Sequence, residues 1–302
     1  VSAQPERVVR NLATTGGLGS SVARDALTNL LRRWTHEETT APTIQRGTRL
    51  EASQAVAPFF PELVLDLLEG VVAAPPPQPA QARPTEPSEA LRRARTGEHF
   101  IDPLTTDAIG PSLGLTGRFP TFVARSLQLA RKLAATIAQG VYDNYKPVRL
   151  VESWLKPGGV EFRTIENALR ELERWLGEPT LEQRTIDMLF GGLSQVLRSS
   201  WMNEELHADS FVFGPRTYEL SAAFAAVRDL AMALLEQGIC HPLPNVRRTA
   251  IRAFGKVGEK APMDRRTEVP LDGRVRDERR RLAAIAGARL ATESDLGVLY
   301  EI

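Results

Sequence analysis

The stretch Asn245–Gly258 reads NVRRTAIRAFGKVG and is the most informative part of this 302-residue chain. Apolar side chains recur in it every three or four residues, the spacing that places them on one face of an α-helix. They are Val246, Ala250, Ala253 and Phe254. Gly255 and Gly258 mark where the chain can leave this helix. The stretch therefore predicts a short amphipathic helix whose small alanines let another helix approach closely.

The same helical spacing recurs along the rest of the chain, whereas alternating β-strand patterns are hard to find. Aromatic residues make up only 6% of the sequence, and Ala and Leu are abundant. The sequence therefore predicts an all-α protein. Besides the stretch above, the predicted helices cover residues 22–34, 63–71, 119–139, 165–176, 181–197, 215–237 and 274–290.

Preceded by His241-Pro242-Leu243-Pro244, the Asn245–Gly258 stretch resembles the second part of a HEAT repeat, the two-helix unit of α-solenoids. In that family a polar cap is followed by Val-Arg, then Ala, then Ala, an apolar residue and Gly. The matching residues are Asn245, Val246, Arg247, Ala250, Ala253, Phe254 and Gly255. The resemblance implies a HEAT-like helical-repeat stack, an α-solenoid, in which the residue at Arg247 bonds an acid of a neighbouring repeat.

Two departures limit that resemblance. Asn245 stands where the family usually has Asp, and the other matches, at Val22–Leu27 and Val275–Ala284, are weaker. No fixed period of about forty residues runs through the chain. An irregular helical bundle is therefore the alternative fold.

Proline and glycine divide the chain. Pro75–Pro87 contains six prolines in thirteen residues, a composition typical of an extended tether, and proline and glycine recur over His99–Pro120. We therefore predict an N-terminal helical segment over 1–72 and a Pro/Gly-rich linker and long loop over 73–120. A C-terminal HEAT-like helical domain is predicted over 121–302.

Composition excludes several classes of protein. The 38 Lys and Arg balance 37 Asp and Glu, which argues against a globally basic nucleic-acid binder. No apolar run approaches the length of a membrane span, so no membrane partner is predicted. The single cysteine excludes an internal disulfide and a Cys-rich metal site. No secretory signal pattern begins the chain, so we expect a cytoplasmic protein, and its Arg-rich, Ala-rich composition suggests a bacterial one.

Few residues suggest catalysis. Glu204 and His207 have the i, i+3 spacing of half a carboxylate-bridged di-metal site, but the second Glu-x-x-His is missing. Cys240 and His241 are adjacent, yet neighbours in sequence usually point apart, so a packed cysteine is the favoured interpretation. The sequence predicts no catalytic residue and no cofactor, with Glu204 and His207 as weak metal candidates. An enzyme with an unfamiliar helical site remains a third hypothesis.

Charge is concentrated near the end of the chain. Residues 245–289 hold thirteen Lys and Arg against six Asp and Glu, a local charge of +7 in a chain of net charge +1. The predicted basic face comprises Arg247, Arg248, Arg252, Lys256, Arg276, Arg279 and Arg280. It predicts a non-enzymatic scaffold or adaptor that binds a protein partner in a bacterial assembly. Nucleic-acid binding is the alternative, and pairing of the arginines with nearby acids such as Asp277 and Glu278 is the simplest interpretation.

Overall fold

The structure, a computed structural model, describes residues 5–38, 52–73, 103–136, 145–156, 160–198, 222–257 and 273–301. The all-α prediction is confirmed, because these ranges contain twelve α-helices and no β-strand. In chain order the helices are α1 (Pro5–Gly17), α2 (Ser21–Glu38), α3 (Pro61–Ala73), α4 (Pro103–Thr116), α5 (Val123–Thr136), α6 (Tyr145–Trp154), α7 (Phe162–Leu176), α8 (Gln183–Leu197), α9 (Ala222–Ile239), α10 (Pro244–Phe254), α11 (Gly273–Leu290) and α12 (Leu296–Glu301).

Helix α7 shows why these segments are helical. The apolar stripe predicted from the sequence is fully buried on one side of the helix, and burying that stripe stabilises it. The stripe consists of Ile165, Leu169, Leu172 and Leu176. The helix ends where predicted, at Gly177, whose N–H donates to the carbonyl oxygens of Glu173 and Arg174.

The chain forms two compact units, Val1–Leu150 and Val151–Ile302. In the N-terminal unit α1 packs on α2 and α2 on α3, while α3, α4 and α5 contact one another. Two pairs of buried hydroxyls join its segments: Ser53 with Ser112 at 2.9 Å and Thr116 with Ser126 at 3.0 Å. Such pairing removes the cost of burying each hydroxyl alone.

The predicted long loop is wrong, because residues 103–116 form α4 despite Pro111 in its interior. Pro111 is exposed, whereas Ile109, Ser112, Leu113 and Thr116 are buried. Those four residues have helical spacing, so their burial outweighs the local preference of proline and glycine for a break. The division between the two units also falls at residue 150 rather than at 120. Pro75–Pro87 lies outside the described residues.

Helices of the C-terminal unit pack in two layers. Helix α7 contacts α9, and α9 contacts α11, which makes one layer. Helix α8 contacts α10, and α10 contacts α12, which makes the other. Each helix therefore packs on the helix two places further along the chain, as successive helix pairs do in a repeat stack. This packing fits the predicted repeat stack, while membership of the HEAT family stays a prediction.

Close contacts hold the layers together. A Cβ added at Gly238 of α9 would lie 2.5 Å from the Phe190 ring of α8 and 3.0 Å from Cβ of Ala250 in α10. Glycine is therefore required where three helices meet. The segment around the end of α6 joins the same core, because a Cβ at Gly192 of α8 would lie 2.3 Å from Leu155 and 3.0 Å from Val151.

Candidate functional site

Arg247 is buried and is not part of a basic face, so that prediction is wrong for this residue. Its side chain is 6% exposed. Its Nε and Nη2 each donate to one carboxylate oxygen of Glu293, both at 2.7 Å. Its Nη1 donates to the carbonyl oxygens of His241 and Pro242, at 2.8 and 2.7 Å. The four bonds occupy the guanidinium, which therefore has no free edge for a partner.

Glu293 lies between α11 and α12, and its side chain is only 1% exposed. The hydrogen bond from Arg247 lowers the pKa of Glu293 to about 2, an effect that outweighs its burial. One carboxylate oxygen also accepts the N–H groups of Ser294 and Asp295 just before α12. The ion pair thus joins α10 to the start of α12, the next helix of the same layer. Arg247 thus bonds an acid distant in sequence, as the HEAT resemblance implies, while the resemblance itself stays a prediction.

Arg248 and Arg252 follow on the outer side of α10, between two carboxylates. Arg252 is mostly exposed, and its Nη2 donates to Glu301 of α12. That bond lowers the pKa of Glu301. On the other side lies Asp187 of α8, whose pKa is raised by desolvation, although a hydrogen bond from Gln183 and the charges of Arg252 and Arg248 oppose the change. The two arginines therefore lie on a surface of mixed charge rather than on a uniformly basic one.

The other four predicted cations are all exposed. Arg280 on α11 pairs with Asp277 one turn earlier, at 3.1 Å, with both side chains in solvent. Lys256, Arg276 and Arg279 are exposed and form no ion pair with other residues that the structure describes. We call Lys256, Arg276 and Arg279 the open basic set.

Arg228 is a second buried arginine, and sequence reasoning missed it. It lies within the apolar stripe of α9 with its side chain 0% exposed. Its Nε and Nη2 donate to Glu278 of α11, the shortest bond being 2.6 Å. It also donates to the carbonyl oxygens of Val196 and Leu197 at the end of α8. In the sequence, the burial of Arg228 is indicated only by its position as a lone arginine among apolar residues at helical spacing.

The ring of His241 forms hydrogen bonds with the backbone rather than with Cys240. Its Nδ1 accepts the N–H of Leu243 at 3.1 Å, which leaves the hydrogen on Nε2 to be donated to the carbonyl oxygen of Leu176, also at 3.1 Å. Both ring nitrogens are therefore occupied. Cys240 is exposed rather than packed as predicted.

The metal candidates Glu204 and His207 lie outside the described residues. Within the part of the chain that the structure covers, no group of three or more His, Cys, Asp or Glu is arranged to hold a metal ion. Among the described helices none is both long enough and apolar enough to span a membrane.

Comparison with known proteins gave no relative: a scan against protein-family models and a search of curated proteins found no match to this chain. The arguments for function therefore rest on the helix packing and on the charges around α10.

Proposed function

We propose that this protein is a non-enzymatic scaffold or adaptor of a bacterial cytoplasmic assembly, which binds a protein partner through its C-terminal unit. One observation carries the proposal. Along the outer surface of α8, α10 and α12, two basic side chains, Arg248 and Arg252, lie between two acidic ones, Asp187 and Glu301. A stack of helix pairs displays such a surface on a rigid support.

This mixed charge suits a protein better than a nucleic acid. A phosphate backbone carries one sign of charge at close, regular spacing. Any phosphate that approached Arg248 or Arg252 would also approach the carboxylates of Asp187 and Glu301, which would repel it. A protein surface can instead place opposite charges against each member of the series, and such complementarity mainly sets specificity and orientation.

Site-specific photo-crosslinking in cells tests the proposal. A photoreactive amino acid replaces Arg248 on α10 and, as a matched control, Arg32 on the exposed side of α2. We expect a discrete adduct with a protein at position 248 that is absent at position 32. The adduct at 248 should disappear when Arg252→Glu is added, because this change reverses a charge on the same surface. Equal labelling at both positions would contradict a partner site on α10.

Nucleic-acid binding is the second candidate, and the open basic set favours it. Lys256, Arg276 and Arg279 are exposed and are not neutralised by other described residues. If each contacts one phosphate, the affinity should fall about 40-fold between 50 and 200 mM salt, from a slope of roughly −0.9 per phosphate. Fluorescence anisotropy with labelled DNA and RNA measures this dependence.

The control for that measurement keeps the net charge the same. Reversal of the open basic set to Glu is compared with reversal of three exposed cations elsewhere: Arg32, Lys132 and Arg163. Loss of binding in the first variant alone would support a nucleic-acid interface. Absence of binding by the unmodified protein even at low salt would exclude it.

A further inference from the structure

Helix α11 places its positive charge at the end where a helix tolerates cations least. Its first half contains five arginines: Arg274, Arg276, Arg279, Arg280 and Arg281. No acidic residue lies in its first turn. The N-terminal end of a helix carries the positive pole of the helix dipole, which favours anions and disfavours cations. Anions placed against this half of α11 would therefore stabilise it.

The two acids of α11 do not neutralise its outer side. Glu278 accepts hydrogen bonds on both carboxylate oxygens from the buried Arg228. Asp277 pairs with Arg280 at 3.1 Å in solvent, where such a pair contributes little. The two arginines that α11 contributes to the open basic set form no ion pair with other residues that the structure describes. The outer side of α11 therefore keeps an excess of positive charge.

The same side of α11 becomes small and apolar in its second half. Exposed residues recur along it at alternating intervals of four and three: Arg276, Arg280, Ala283, Gly287 and Leu290. We call this row the α11 seam. Its spacing is that of the residues along which two helices pack in a coiled coil. A Cβ at Gly287 would meet no atom within 4 Å, and Leu290 is 47% exposed, so there is room beside both for side chains of another helix.

We propose that the α11 seam binds an acidic amphipathic helix of a partner protein. Acidic side chains in one half of the partner helix lie against Arg276 and Arg280. Larger apolar side chains in its other half lie over Ala283 and Gly287 and cover Leu290. The acids provide the anions that the first half of α11 lacks, and the apolar contacts remove exposed surface from water. Charge therefore selects the partner, and the small residues admit it closely.

A nucleic acid is the less suitable occupant of the α11 seam. A phosphate backbone carries its charge at regular spacing along its whole length. It would meet cations at Arg276 and Arg280, but only apolar side chains over the second half of the seam. An amphipathic helix matches both halves. The seam lies on α11 alone, so it is a separate surface from the one proposed above around Arg248.

Selection from a phage-displayed library tests this proposal on the full chain. The library consists of helical peptides about three heptads long, randomised at the positions that would face α11. We expect the selected peptides to carry acidic residues in one half and large apolar residues in the other. A labelled peptide from the selection is then titrated by fluorescence anisotropy. Its affinity should fall at least tenfold in the variant Arg276→Glu with Arg279→Glu, because this change reverses the charge that attracts the acids.

A second variant tests the apolar half of the seam. Gly287→Gln meets nothing within its own chain and improves helix propensity, yet it fills the space that the partner helix needs. We expect it to weaken peptide binding at least tenfold. Ala288→Gln is its matched control, because Ala288 is exposed about 100° further around the same helix and should leave binding unchanged.

Reversal of two exposed cations elsewhere, Arg163→Glu with Lys132→Glu, controls for net charge and should also leave peptide binding unchanged. Selected peptides without an acidic half, or an affinity that survives both α11 variants, would overturn the proposal. Failure to select any peptide would do the same. Binding of DNA or RNA that requires the α11 arginines but tolerates Gly287→Gln, with no peptide selected, would identify a phosphate-binding surface instead. Labelling at position 248 is unaffected by these outcomes, so the two surfaces are tested separately.

Discussion

Neutralising Glu293 should destabilise the C-terminal unit by about 3 kcal/mol. Glu293→Gln keeps the side-chain shape and an oxygen that can accept the N–H groups of Ser294 and Asp295. It leaves the Arg247 guanidinium buried without a counter-charge. Removing one partner of a buried ion pair costs about 3–5 kcal/mol. The lowered pKa of Glu293 leads to a similar figure, since a fall from 4.5 to about 2 corresponds to roughly 3 kcal/mol.

The pH dependence gives the prediction a sign. Because the pKa of Glu293 is lower in the folded chain, its contribution is fully present above pH 4.5 and is lost as the pH falls through about 2. Linkage gives about 3 kcal/mol at pH 7 and about 1.4 kcal/mol at pH 3. The Gln variant lacks this titration. The stability difference between the unmodified protein and the variant should therefore shrink by about half over that interval.

Urea unfolding followed by tryptophan fluorescence measures the loss of stability, and hydrogen exchange of peptides from α10 and α12 locates it. Asp277→Asn is the matched control, because Asp277 pairs with Arg280 in solvent, with both side chains more than 70% exposed. We expect less than about 0.5 kcal/mol from that change. Equal costs for the two variants, or a difference that is the same at pH 7 and pH 3, would refute the argument.

Two further changes test the packing of the same unit. Gly238→Ala should cost about 1–3 kcal/mol in urea unfolding despite its better helix propensity, since the new methyl would lie 2.5 Å from the Phe190 ring. Arg228→Met should lower the free energy of unfolding by about 3–5 kcal/mol, because it leaves Glu278 largely buried without a counter-charge. Adding Glu278→Leu should recover most of that loss, whereas no recovery would show that the bonds to the α8 carbonyl groups matter more.

Apolar spacing was a reliable guide to the helices but not to every boundary. The predicted apolar faces in α7 and α10 lie on real helices because burial of one face determines both. Val22 begins the helix predicted over 22–34, yet it is 78% exposed in the first turn of α2, whereas Leu27 and Trp34 of the same helix are buried. Helix α4 was missed because a proline such as Pro111 usually indicates a break in a helix. In the structure Pro111 lies on the exposed side of α4, where proline is tolerated because neighbouring residues of the helix are buried.

The candidate site was predicted less well, because a run of arginines does not reveal which of them point inward. Successive helical residues differ by about 100°, so Arg247 and Arg248 lie in different environments. The stripe of Val246, Ala250 and Ala253 omitted Ile251, which is also buried. Including Ile251 widens the buried sector until it contains Arg247, one turn earlier. The acids that partner these arginines are distant in sequence, and only the fold brings them close.

The two buried ion pairs share one task, which is to fix the position of the last helix pair. Arg228 joins α9 to α11, and Arg247 joins α10 to the segment before α12. Among the described side chains of α11 only Leu282 and Ala286 are buried, so apolar contact alone leaves its orientation weakly defined. Buried ion pairs contribute little net stability compared with apolar residues, but they require defined geometry. Since Arg276 and Arg279 of the open basic set lie on α11, tests of binding should leave Arg228 and Arg247 unchanged.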